Sequence, residues 1–253
     1  MKTKRVVNIT LFILGTFFVI ILWSIGHSIL PSKIPKFQSC ILSIVENFSQ
    51  VHKFNVLSTF LTALSGLGLS VFLSALIFIS VGVFKSIENF ILPILVLIKS
   101  SPALAFVPIF TILLGTGFAS KILVSSMICL FPLAIGVLDG FDRIPLKYNY
   151  FIRVYSPSRF KSLFLIKTHF ALEGLLSGLK TAAPLSVVGA IVGEYVIGGS
   201  NYGLGNFIIS NTNSYAIVSR YVGVLLSTML GLFFFVSSMI IYNFYANQSN
   251  IKK

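Results

Sequence analysis

Residues 139–195 read DGFDRIPLKYNYFIRVYSPSRFKSLFLIKTHFALEGLLSGLKTAAPLSVVGAIVGEY. The stretch begins at the end of one long apolar run and finishes inside another. Between them, residues 139–173 form a basic, helix-compatible loop. Loops rich in Lys and Arg are retained on the cytoplasmic side of a membrane. Tyr148, Tyr150, Phe151 and Tyr155 are interleaved with Arg153, Arg159 and Lys161. Charge mixed with aromatic area in this way predicts a short amphipathic helix that docks into a partner's groove.

Working outward, the 253 residues are 56% hydrophobic and 10% charged, with a mean hydropathy of +0.96. A soluble domain of this size carries roughly 25% charged residues. The excess of apolar residues falls in long runs, which identifies an all-α polytopic membrane protein. A transmembrane β-barrel would instead alternate apolar and polar positions along each strand. Six spans are expected, near 9–30, 56–84, 90–114, 120–138, 175–197 and 219–244. Residues 31–55 read as a polar, amphipathic connector, and 198–218 as a loop rich in Gly, Asn and Ser. The first span follows Met-Lys-Thr-Lys-Arg and is too long for a cleaved signal, so it reads as an uncleaved helix.

With both termini inside, 13 of the 19 Lys and Arg fall on inner segments, 5 on outer segments, and Lys99 within a span. The net charge of +13 is thus a matter of topology and not of nucleic-acid binding. Lys99 beside Pro102 and Pro108 marks a broken helix lining a pathway, since each proline removes a backbone donor and a mid-span charge seeks water. Glu194 shares a helical face with Ala183, Val187 and Ala190. It reads either as an interfacial carboxylate or as an outer-gate residue. Gly189-x-x-x-Gly193 fits close helix packing.

Other chemistry is not expected. Residues 174–181, GLLSGLKT, miss the phosphate-loop pattern. Cys40 and Cys129 suit neither a disulfide nor a metal, and His27, His52 and His169 are scattered. Ser65 has no intramembrane His to make it a nucleophile. No catalytic residue, metal or cofactor is expected.

Three stretches resemble a known family. They are SSPALAFVPIFTILLGTGFASK at 100–121, CLFPLAIGVLDGF at 129–141, and GLLSGLKTAAPLSVVGAIVGEYV at 174–196 followed by YGLGNFI at 202–208. Together they resemble the permease subunit of ATP-binding-cassette importers of the nitrate, sulfonate, taurine and thiamine-precursor group. The resemblance covers about His52 to Tyr221. It implies a type I importer permease, a single transmembrane domain over 1–253 with its core at about 52–245, in a bacterial inner membrane. It further implies two ATPase subunits, a second permease chain (a homodimer), an extracytoplasmic solute-binding protein and surrounding lipid as partners. ATP hydrolysis would lie on the separate subunit. The loop 139–173 becomes the coupling element, with Tyr150, Phe151, Ile152, Arg153, Ser156, Pro157 and Arg159 against the ATPase. Lys99, Pro102, Pro108 and Glu194 become pathway residues. The family's Glu-Ala-Ala and Gly are replaced here by Tyr150-Phe151-Ile152 and Ser156, so the contact is expected to rest on apolar area. The substrate would be a thiamine pyrimidine precursor or a nitrate- or sulfonate-type anion. A secondary transporter or channel without an ATPase is the alternative, and it predicts internal repeats that the sequence lacks.

Overall fold

The computed structural model describes residues 2–155, 158–199, 202–210 and 217–248, and every regular element among them is helical. The elements are α1 (Lys2–Ile29), α2 (Phe37–Asn47), α3 (Lys53–Val83), α4 (Glu88–Ser100), α5 (Ala103–Leu114), α6 (Phe118–Asp142), α7 (Leu146–Tyr155), α8 (Arg159–Ser162), α9 (Thr168–Ile197), α10 (Leu204–Ser210) and α11 (Ile217–Gln248). A chain this apolar has to satisfy its backbone polar groups within each segment, which leaves helices as the solution. Among the described residues, α3, α6, α9 and α11 are long and apolar enough to cross a membrane. The pair α4–α5 makes a fifth span if counted together, and its halves meet at 99°. The expected span 9–30 falls on α1.

Two boundaries differ from the sequence expectation. The span expected at 175–197 begins earlier, at Thr168. Thr168, His169 and Glu173 lower the hydropathy of its first turns, yet Ala171 is buried and the helix continues. The loop 139–173 is correspondingly shorter and holds two helices, α7 and α8. The break expected within the span at 90–114 takes the form of an elbow, because Ser101 and Pro102 both leave helical geometry.

The centre is a seam between α6 and α9, where glycines let the backbones touch. A Cβ on Gly136 would strike the Gly174 carbonyl oxygen, and one on Gly174 would strike that of Gly136. Farther along, Gly189 faces the Cα of Ser125, which a Cβ would approach to 2.6 Å. Close approach through small residues is how membrane helices gain contact without a hydrophobic drive between them. These contacts make α9 antiparallel to α6. Gly66 of α3 faces Ser125, and Gly82 faces Phe141, so α3 runs parallel to α6. Tyr221 near the start of α11 meets Trp23, and Tyr245 near its end meets His169. Thus α2, α10 and the start of α11 share one end of the bundle. The end of α11 lies at the other, with α7 and α8. An apolar cluster fills each half, one around Val187, Leu204 and Val222, the other around Val81, Leu138 and Leu163.

Candidate functional site

The α4–α5 elbow stands off the α6–α9 pair and leaves a groove of about 700 Å³ between them. Ile98, Lys99, Ser101, Pro102 and Ala103 form the elbow wall. Met127, Phe131, Pro132, Asp139 and Arg143 come from α6 and its end, and Ser177, Gly178 and Thr181 from α9. The lining mixes apolar area with hydroxyls and three charged groups, which suits passage of a polar solute. Pro102 directs the bend by removing the donor that a straight helix would need. The bend puts Lys99 in the last turn of α4, with its ammonium 4.3 Å from the centroid of the Phe131 ring. Ile109, Ile112 and Leu113 of α5 are exposed and do not line the groove.

At the α7 end, Lys85 bridges two elements. Its Nζ lies 2.6 Å from Glu88 Oε2 and 3.0 Å from Asp142 Oδ1. Exposed pairs of this kind contribute about 0–1 kcal/mol, but this one ties the root of α4 to the last residue of α6. Lys167 donates to the Gly82 carbonyl at 2.7 Å and closes the end of α3. From that platform α7 projects. Tyr148 packs its ring 5.6 Å from that of Phe170 and anchors the helix on α9. Leu146, Tyr150 and Val154, spaced i, i+4, i+8, are 75%, 69% and 72% exposed. They form one apolar stripe facing away from the anchor.

At the opposite end sits a buried carboxylate. Glu194 is fully buried. Thr59 Oγ1 lies 2.8 Å from its Oε2 and 3.0 Å from its Oε1, donating to the carboxylate. The same hydroxyl accepts the Leu204 N–H at 2.8 Å. Gly205 N–H donates to Oε2 at 3.0 Å, and Gly203 N–H donates to Asn55 Oδ1 at 2.9 Å. Gly203 has φ +137°, and a Cβ there would come within 2.6–2.8 Å of the carboxylate. Glu194 therefore pins the start of α10 to α3 and α9.

The structure sorts the expected residues. Lys99 and Pro102 line the groove, whereas Pro108 and Glu194 are not among its lining residues. Ala183, Val187 and Ala190, which share Glu194's face, are packed in the core, and none of them lines the groove. Tyr150 lies exposed on α7. Phe151, Ile152 and Arg153 lie on the same helix, and Arg159 opens α8. Ser156 and Pro157 fall outside the described residues. Asp139, Arg143, Ser177 and Thr181 in the groove, and Leu146 and Val154 on α7, were not singled out from the sequence. The i, i+4, i+8 spacing carried the signal for the last two. His52 is buried with Nε2 3.3 Å from the Ser43 carbonyl oxygen, and His27 Nδ1 lies 2.7 Å from that of Ile34. Among the described residues no cluster of three or more metal-ligating side chains occurs.

Residues 66–249 match the family described as binding-protein-dependent transport system inner membrane component. Over 208 residues the chain is 24% identical to the formylaminopyrimidine transport permease protein ThiX of Halalkalibacterium halodurans, covering 81% of each chain. It is 34% identical over 125 residues to a probable ABC transporter permease protein of Haemophilus influenzae, covering 49% of this chain and 50% of that one. It is 32% identical over 154 residues to the riboflavin transport system permease protein RibX of Chloroflexus aurantiacus, covering 61% of this chain and 57% of the relative.

Proposed function

The chain belongs to the binding-protein-dependent transport system inner membrane component family, and from that premise we propose that it is the permease subunit of an ATP-driven importer for a small solute. The observation that carries this reading is α7, a short helix at the junction of α6 and α9 whose apolar stripe faces away from the protein. An ATPase subunit seated on that stripe supplies the hydrolysis, and this chain supplies the path. Tyr150 lies on that stripe, and Phe151, Ile152, Arg153 and Arg159 are carried by the same segment. The groove beside Lys99 and Pro102 is this chain's half of the path, and a second copy closes its open side. A solute-binding protein delivers at the α10 end. Two ATPase copies, one per permease, push on α7 and switch the groove between its two openings, as alternating packings of a bundle allow.

The substrate favoured is a pyrimidine precursor of thiamine, because the match to the formylaminopyrimidine permease covers the larger part of both chains. An anion such as nitrate or a sulfonate is the second reading, and the Lys99 ammonium in the groove wall favours it. Uptake of the labelled pyrimidine and of nitrate in cells with and without this chain separates the two.

The test of the coupling is co-purification of the ATPase. Burying a side chain such as Leu or Val is worth about 1.5–3 kcal/mol, so L146S/Y150S/V154S is expected to lose the ATPase while the chain stays in the membrane. Arg159→Ala is expected to retain it, because exposed charge pairs contribute about 0–1 kcal/mol. An ATPase that stays bound to the triple variant, or is absent from the unaltered chain, removes α7 from this role.

A further inference from the structure

The helix α2 precedes the residues that match the family, and nothing so far has given it work. It is held firmly on one side. Trp23 Nε1 donates to the Pro35 carbonyl at 2.9 Å, and Cys40 is fully buried against the cluster that includes Val222 and Leu226. A second side is polar, with Ser39 and Glu46 about 20° apart at 100° per residue. The third side is uncovered and mostly apolar, with Gln38 among its apolar residues. Ile41, Leu42, Val45 and Phe48 are 42%, 51%, 73% and 45% exposed, and they fall within about 120° of arc. A face turned to water would not carry four such residues next to its packed side. Lys33 and Lys36 precede the helix and Lys53 follows it in the chain, all exposed and, among the described residues, without an ion pair within 4.0 Å. The helix lies directly before α3 enters the apolar layer, at the end of the bundle opposite α7.

We infer that α2 is a surface helix seated in the bilayer interface, with Ile41, Leu42, Val45 and Phe48 among the upper acyl chains and Lys33, Lys36 and Lys53 against anionic phospholipid headgroups. Helices with one apolar and one polar face lie in this plane, their apolar side sunk to the headgroup boundary. Charge complementarity selects the occupant, since each near-surface lysine favours an anionic leaflet about fivefold. The position of α2 between α1 and α3 then fixes how deep the start of α3 sits.

The test uses the full chain in lipid nanodiscs with a nitroxide at V45C or E46C. Native Cys40 and Cys129 are buried and do not compete for the label. The Val45 label is expected to collide with oxygen more than with a water-soluble nickel chelate, and the Glu46 label the reverse. In discs containing phosphatidylglycerol the Val45 label is expected to sit deeper than in pure phosphatidylcholine, and K33Q/K36Q/K53Q is expected to abolish that difference. Nickel access at Val45 overturns the inference. Exclusion of both reagents overturns it too, and identifies a second copy or a binding protein as the cover. Equal depth in the two lipids overturns the headgroup contact.

Discussion

Glu194 is the residue on which the α10 end depends, because its carboxylate accepts from both a side chain and the backbone of a neighbouring element. Glu194→Ala leaves the Gly205 N–H buried without its acceptor, and a buried orphan costs about 1–3 kcal/mol. Glu194→Ala is therefore expected to lower the thermal midpoint in detergent, with Glu194→Gln falling less because it keeps one acceptor oxygen. A thiol-reactive dye reads this directly, since Cys40 and Cys129 are buried and free, and burial pushes the Cys40 thiol above its usual range. His52 gives a pH dependence. Burial holds its imidazole below the usual value, and the Ser43 carbonyl opposes this only in part. The folded chain thus binds fewer protons than the unfolded one just below about pH 6.5. Stability is expected to be intact above that pH and to fall as the pH drops toward the depressed folded value. His52→Gln, which cannot titrate, should flatten the midpoint-against-pH curve. A slope that survives in His52→Gln assigns it to another group. From the sequence, Glu194 lay three residues from the outer end of a span, where a carboxylate at a gate and a carboxylate in a pin look alike. What separates them is that residues 203–205 fold back over it, and no linear spacing encodes that return.

Among the elements, the apolar runs made the long helices legible, because backbone satisfaction in hydrocarbon leaves few other forms. Their ends were less so. Polar residues in the first turns of α9 hid seven of its residues, 168–174, from hydropathy, and only contact with α6 explains why they stay helical. Pro102 announced a break between α4 and α5, but a missing donor does not by itself set the size of the angle, which is 99°. The α6–α9 seam yields a clean comparison. Gly174→Ala places a methyl against a backbone carbonyl that cannot swing aside, whereas Gly231→Ala on α11 meets nothing within 4 Å. Overpacking of a tight contact costs about 1–3 kcal/mol, and Gly→Ala in an open helical position gains roughly 0.5–1 kcal/mol. The dye midpoint is expected to fall for Gly174→Ala and to hold or rise for Gly231→Ala. Equal midpoints would mean that the seam relaxes without penalty.

Across the whole molecule, α7, α8 and the far end of α11 share one end, while α2 and α10 share the other. Lys85, Arg143, Lys147, Arg153, Arg159, Lys161 and Lys167 belong to segments of the α7 end, and on the positive-inside rule we propose that this end faces the cytoplasm. A cysteine at Asn149 is accordingly expected to resist membrane-impermeant thiol reagents in intact cells and to react once the membrane is opened. Labelling from outside would invert the topology and withdraw the ATPase from α7. The seam also limits how such a machine moves. Where carbonyl meets Cα with no side chain between, there is no cushion to re-seat. A slide of one turn, about 5.4 Å, would drive Cβ atoms into oxygens. The helices α6 and α9 are thus a single rigid beam, and α7 is mounted between their two roots. A load applied at α7 reaches both together and tilts the beam instead of parting it. The α4–α5 elbow joins that beam at its root, where Lys85 bridges Glu88 and Asp142.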